Sequence, residues 1–548
     1  MNQQRNGMRE VNYVAIGQRR IFRAEVRWQG GLITDVSEIG EERAGLGYLI
    51  PGFIDAHVHI ESAMLTPAEF GRIALRHGTV GVVSDPHEIA NVLGVDGVRF
   101  MLENARRSPF HAFFGAPSCV PATPFETANG VLGCAEIEAL LAEPEVCCLS
   151  EMMNFPGVLA RDPEVMAKIA LAQRIGLPVD GHAPGMKGAQ AAAYIGAGIS
   201  TDHECFSLRE ARDKIAHGMW VLIREGSAAR NLETLMPLIS ESPERVMLCS
   251  DDKHPDDLLG GHINSMAARA VAAGHSQFDV LRCACLNPLD HYRLPLGRLR
   301  TGDPMDAIEV ADLQDFRPTR VWLQGRLVAE EGEVLLPRVR VEPVNAFDAR
   351  PVTVADLRLE SDGEAVRVIA VEDGSLVTRE KRLRPRVEEG VVLPDLARDI
   401  LPICVLNRYR PSRPALALIQ GFGLKRGAIA SSVAHDSHNI VAVGADPESL
   451  CAVINRVIEH RGGIALDDGA GGAEILPLPI AGIMSDDDGE RVGEAYARLD
   501  RAARELGSSL SAPYMTLSFM ALLVIPELKL SDQGLFDGRT FSFVDLRA

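Results

Sequence analysis

The ten cysteines of this 548-residue chain form no CxxC pair. Most sit in apolar settings such as VCCLSE and VMLCSD, as the cysteines of a reduced core do. No apolar run approaches the roughly 18 to 20 residues that a membrane span requires, which excludes a helical membrane protein. The opening MNQQRNGMREVNYVAIG has no apolar stretch after its few charges, so nothing marks it for secretion. Together these absences lead to an expected cytoplasmic setting. No block of Lys or Arg offsets the net charge of −19. Such a chain repels a phosphate backbone, so the expected partner is a small molecule and not nucleic acid or a membrane. No internal repeat or low-complexity tract is evident.

What is present is a large apolar inventory, 46% of residues against 24% charged, and too much chain for one core. Residues 1–50 alternate apolar and polar residues in short strands with Gly turns, and 301–344 read the same way. The two pieces are expected to pair into a composite, β-sandwich-like domain. Between them, residues 51–300 alternate apolar runs with helix-like stretches, the pattern of repeated βα units. Eight candidate strands are counted: Tyr48 to His59, Thr79 to Ser84, His111 to Ala116, Val146 to Met152, Leu177 to His182, Ile199 to His203, Met219 to Arg224 and Arg245 to Ser250. The fold class is therefore α/β, a (β/α)8 TIM-like barrel with a C-terminal α+β domain over 345–548. A helix is expected over Pro447 to His460.

The strands end in residues capable of chemistry. PGFIDAHVHI carries His57 and His59, which point the same way because strand side chains two apart share a face. Then come Asp85 and His87 in SDPHEI, Glu151 in SEMMNF, His182 in DGHAPG, His203 in TDHECF, Arg224 and Glu225 in IREGSA, and Asp251 and Asp252 in CSDDKHP. Twelve of the fifteen histidines lie between 51 and 300. A single buried histidine is usually a hydrogen-bonded core residue. Placement at the ends of several strands of one barrel makes that reading improbable, since barrel enzymes gather their catalytic groups there. Four histidines and two carboxylates suffice for two metal ions.

An HxH after strand one, single histidines after strands five and six, and Asp after strand eight resemble the amidohydrolase superfamily, which is usually flanked by a composite β domain. The longer motifs PGFIDAHVHIESAML, GTVGVVSDPHEIANVLG, DGHAPG, GAIASSVAHDSHNIVAVG and YMTLSFMALLVIPELKL resemble the adenine deaminases of bacterial purine salvage. That resemblance implies hydrolytic deamination of adenine to hypoxanthine and ammonia by a metal-activated hydroxide. Many superfamily members bridge their metals with a carboxylated lysine after strand four; here Glu151 stands there, similar to the adenine deaminase arrangement. Lys187, shortly after DGHAPG, departs from the pattern.

The expected metal ligands are His57, His59, Glu151 and Asp251 for one ion and Glu151, His182 and His203 for the other, with Mn, Fe or Zn as the divalent metal. Asp251 is expected to relay the proton of the attacking hydroxide to the leaving amine. His87, Glu88 and Asp252 are the unranked candidates for protonating the ring. Glu61, Asp85, Arg224, His435 and His438 are substrate-binding candidates, and a homo-oligomer, by default a dimer, is expected. The cluster HDSHN (435–439) is read either as reaching the barrel mouth or as a hydrogen-bonded turn. Met515, Leu517, Phe519 and Met520 are read as core, SDDDGE (485–490) as a solvated loop, and Cys283 with Cys285 as a buried helix face. The signature of cytidine-type zinc deaminases, H-x-E with P-C-x-x-C, is absent, which favours a free base over one in a polynucleotide. The alternative is another cyclic amide or amidine hydrolase of the same superfamily; a non-catalytic scaffold would have lost ligands, and none is missing.

Overall fold

The computed structural model describes residues 5–548. Eight parallel strands run in chain order: Phe53–Val58, Thr79–Ser84, His111–Ala116, Val146–Met152, Val179–Gly181, Thr201–Asp202, Trp220–Arg224 and Val246–Cys249. The first five form one continuous sheet and the last three another. Two parallel bridges, Val179 with Ile199 and Val58 with Asp251, join them at both seams. The ring therefore closes as a (β/α)8 barrel. TVGVVS is buried at every position, because a parallel strand is covered by the barrel interior on one face and by helices on the other.

The run Tyr48 to His59, expected as one strand, is two. Tyr48–Pro51 pairs with Gly7–Ala15 and Ala307–Val310, whereas Phe53–Val58 starts the barrel. The chain changes sheets at Gly52, where a Cβ would lie 2.2 Å from Val80 Cγ2; only glycine allows that approach.

Strands from 7–51 and 307–334 share one eight-stranded sheet. The two segments expected to pair do so, in one continuous ladder of strands. Register shifts at Arg23/Ala24, Arg27/Trp28 and Val321/Trp322 increase the local twist. The sheet can then cover its own core of Val11, Val26, Trp28, Leu49 and Trp322.

A second eight-stranded sheet, mostly antiparallel, spans Val366–Ala370 to Ala473–Pro477. Along Ile400–Leu406 side chains alternate: Cys404 and Leu406 pack under helix Pro447–Glu459, while Ile403 and Val405 join the core continuous with the barrel. Asp446 caps that helix by accepting from Ser449 N, with Pro447 in its first turn. The acidic run 485–490, expected as a solvated loop, is a loop with Asp486 and Asp487 exposed, and its last two residues begin helix Gly489–Glu505. Asp488 caps it and pairs with Arg72 of the barrel at 3.3 Å. The turn 433–439 and the segment 513–525 of this C-terminal region reach the mouth of the barrel, where its strands end.

Candidate metal centre

Barrel closure sets the geometry of the cluster. Asp251 N donates to His57 O (2.9 Å) and Asp251 O accepts from His59 N (3.3 Å). These bonds hold Asp251 at φ 55, a left-handed conformation that costs about 1–2 kcal/mol for a residue with a Cβ. The carboxylate is thereby carried between two imidazoles: Oδ1 lies 3.4 Å from His57 Nε2 and 3.3 Å from His59 Nε2.

Glu151, at the end of the fourth strand, divides its oxygens. Oε1 lies 3.3 Å from His59 Nε2, and Oε2 lies 2.6 Å from His182 Nδ1 and 3.3 Å from His203 Nε2. The ends of strands five and six are close enough for this because residue 181 is glycine: a Cβ there would meet Thr201 O at 2.3 Å. The His57 ring stacks on that of His203 with centroids 4.3 Å apart.

The electrostatics fit a cation. His57 Nε2 is buried and makes no hydrogen bond, an arrangement that costs free energy unless a ligand uses the nitrogen. Burial opposes charge on His59 and His203, yet Asp251 and Glu151 beside the first, and Glu151 and Glu204 beside the second, hold both imidazoles well above their usual value. Burial likewise opposes charge on Glu151 and Asp251; His182 beside one and Arg224 beside the other outweigh it and keep both carboxylates well below their ordinary range. The carboxylates that favour charge on these imidazoles would equally favour a divalent ion, which would displace any imidazole protons. Among the described residues, donor atoms close enough to share an ion include those of His57, His59 and Asp251; of His57, Glu151 and His203; and of His182, His203 and Glu204. The set His59, Asp85, His87 and Glu151, and the set His87, Glu88 and Asp436, meet the same test.

The remaining expected site residues separate into two groups. Arg224, His435, His87, Glu88 and Asp252 line the cavity above the cluster; Glu61, Asp85 and His438 are buried behind it. Arg224 faces carboxylates: its guanidinium donates to both oxygens of Glu204 (2.5 and 2.8 Å) and to Asp251 Oδ2 (2.6 Å). Asp85 Oδ2 lies 3.3 Å from His87 Nδ1. Glu61 accepts from Ile89 N at 3.2 Å, and burial pushes its carboxyl up to about 7. Asp252 accepts from Ser62 Oγ at 2.6 Å. The turn 435–439 does reach the barrel: His435 and His438 both bond the Glu88 carboxylate. Lys187 is exposed and precedes helix Gly188–Gly196.

Four contributors were missing from the expected site. Glu204 follows His203 directly and fastens Arg224, and the HE pair at a strand end was the available signal. Asp436 lies in the cavity wall with Oδ2 unpartnered. Phe519, read as core, lines the cavity and stacks on His435, centroids 4.6 Å apart. Asp55 accepts from His262 Nε2 (2.8 Å) and Ser250 N (2.9 Å) beneath the cluster.

The amidohydrolase family model matches residues 48–328, and the adenine deaminase C-terminal domain model matches residues 375–542. The adenine deaminase of Salinibacter ruber is 53% identical over 96% of each chain, and that of Methanosarcina mazei 49% identical over 97% of each. That of Parabacteroides distasonis is 46% identical over the full length of both. Among solved structures, a beta-aspartyl dipeptidase from Fervidobacterium islandicum is 15% identical and covers 62% of this chain and all of its own, with a TM-score of 0.45. Near half-identity from end to end, in both the barrel and the C-terminal region, shows that the chain belongs to the amidohydrolase family and, within it, to the adenine deaminases.

Proposed function

We propose that this chain hydrolyses adenine to hypoxanthine and ammonia, and that it does so with two divalent ions held at the barrel mouth. In this reading His57, His59, Glu151 and Asp251 would hold one ion and Glu151, His182 and His203 the other. The observation that carries it is Glu151, whose two oxygens face different imidazoles, as a bridging carboxylate requires. Divalent ions bound there supply Lewis acidity, which lowers the pKa of water from roughly 15.7 to about 7. Imidazole and carboxylate donors suit Mn²⁺, Fe²⁺ or Zn²⁺, so supply as well as geometry selects the metal.

The chain's own groups then divide the proton work. Asp251 keeps Oδ2 on Arg224 and presents Oδ1 to the imidazoles. In this proposal Oδ1 takes the proton of the attacking water and hands it to the departing ammonia. His87 is the proposed donor to the ring nitrogen. Burial opposes its charge, but Asp85 and Glu88 outweigh that and hold its pKa well above the usual histidine value. Glu88, bonded by His435 and His438, lies 3.6 Å from His87 Nε2 and keeps that charge in place. Leu376, Phe519, Leu522 and Ile525 form an apolar roof that a flat heterocycle can lie against and that excludes bulk water. The acidic surface supports a free base as substrate, and the ten cysteines, none in a disulfide, support a cytoplasmic setting. No helix among the described residues is long and apolar enough to cross a membrane.

Purified protein supplied in turn with Mn²⁺, Fe²⁺ and Zn²⁺ is expected to release ammonia and hypoxanthine from adenine and to retain two ions per chain. No turnover of adenine with any metal, alongside hydrolysis of a cyclic amide, would overturn the reading.

A further inference from the structure

Lys529 lies on strand Leu528–Ser531 with none of its surface exposed. Among the described residues no carboxylate pairs with it. Its Nζ donates instead to two carbonyl oxygens, Leu376 O at 2.9 Å and Phe519 O at 3.0 Å. Burial pushes its pKa down to about 7. A buried ammonium without a counter-ion is a costly residue to keep where a methionine would fill similar space.

Its two acceptors belong to the roof of the catalytic cavity, since Leu376 and Phe519 both line it. Phe519 lies nearly parallel to His435, with an interplanar angle of 19°, and His435 bonds Glu88. Leu376 also lines a wider outer cavity with Ala228, His254 and Tyr496, so it stands in the wall between that space and the metal cluster. The loop carrying Leu376 is mostly exposed from 372 to 377; Leu376 packs partly against the core, and Asp373 accepts from Ser511 N and Oγ, both at 2.8 Å. Thr378 fixes one end by donating from Oγ1 to Leu528 O at 2.7 Å. The next residue on that strand, Lys529, reaches under Leu376 and across to Phe519.

We infer that Lys529 is a positioning residue for substrate binding, joining the loop of Leu376 to Phe519 so that the roof keeps the spacing that closes over a flat base. It touches no reacting atom and acts only through the two backbone segments. This rests on the reading of adenine as substrate.

The test uses the full-length, metal-loaded enzyme. In Lys529→Met the KM for adenine is expected to rise by roughly tenfold or more while kcat stays within about threefold, because the lost bonds set binding and not the chemical step. Metal content is expected to stay at the wild-type level. Lys529→Gln, which keeps N–H donors on a neutral group, is expected to fall between the two. Phe519→Leu is expected to raise KM in the same way, and the double variant Lys529→Met/Phe519→Leu to show less than the product of the two effects. An unchanged KM in Lys529→Met, or kcat and metal content falling together with KM unmoved, overturns the proposal. If the Met variant does not fold, a wild-type KM in Lys529→Gln overturns it. Wild-type turnover in the same assay separates the two ideas: no wild-type turnover of adenine refutes the substrate reading, whereas turnover with unshifted variants refutes only the role of Lys529.

Discussion

Replacing Arg224 by methionine removes a guanidinium that is 5% exposed and leaves its two acid partners, Glu204 and Asp251, buried. Three short charge-assisted hydrogen bonds go with it. Two unit charges 4 Å apart attract by about 4 kcal/mol at an effective dielectric near 20, and desolvation offsets part of that. Removing one partner from a buried pair costs about 3–5 kcal/mol, because the other charge is left uncompensated. Here two carboxylates lose the same cation, so metal-free Arg224→Met is expected at the upper end of that range. Bound divalent ions would neutralise Asp251, so the loss is expected to be smaller in the loaded protein. Adding Glu204→Gln removes one orphaned charge and is expected to recover part of the loss. The assay is thermal unfolding of wild type, both single variants and the double variant, each metal-free and metal-loaded, compared only as shifts because so large a chain need not unfold in one step. The reasoning is refuted if metal-free Arg224→Met melts with wild type, or if the two substitutions are simply additive.

Four further outcomes are expected. Glu151→Gln keeps the size of the side chain but loses the charge shared among the imidazoles of His59, His182 and His203, so metal analysis after dialysis is expected to find fewer than two ions per chain, and the ammonia assay little release. His87→Gln is expected to lower kcat by about 10²- to 10⁴-fold with metal content unchanged, the size of a lost general acid; a wild-type kcat would remove His87 from the mechanism. Burial, helped by Asp256, pushes Asp500 up to about 7. A raised acid favours the fold below its unfolded pKa near 4 and loses that contribution as pH rises toward 7. Melting of Asp500→Asn is therefore expected to exceed wild type at pH 8 and to match it at pH 4. Glu151, Glu204 and Asp251 are held low against burial, chiefly by His182 for the first and by Arg224 for the other two. Their contribution is present above pH about 4 and lost as pH falls through their folded values, so on the acid side the metal-free protein is expected to lose stability steeply below that point.

The barrel was legible because each strand is a short apolar run ending in a polar residue, and because a strand's period of two aims His57 and His59 together. The break at Gly52 was passed over although Pro51-Gly52 is a chain-breaking pair, because apolar residues continue on both sides of it; the closeness of Gly52 to Val80 exists only in the fold. Helix Gly489–Glu505 hid behind an acidic run whose last aspartate is its cap. Phe519 read as core because its neighbours are apolar; no local pattern tells an apolar side chain facing a cavity from one facing a sheet.

What the sequence by itself determined is the set of donors and the strands that carry them, because ligand chemistry and alternation are local properties of the chain. Only the tertiary structure decided which atoms meet. Closing the ring between strands one and eight put Asp251 between two imidazoles, glycine at 181 brought strands five and six together, and the C-terminal region carried His435 and His438 more than 300 residues along the chain to Glu88, with Phe519 stacked on His435. These are contacts between segments far apart in sequence, fixed by packing of the whole chain and invisible to any window of it.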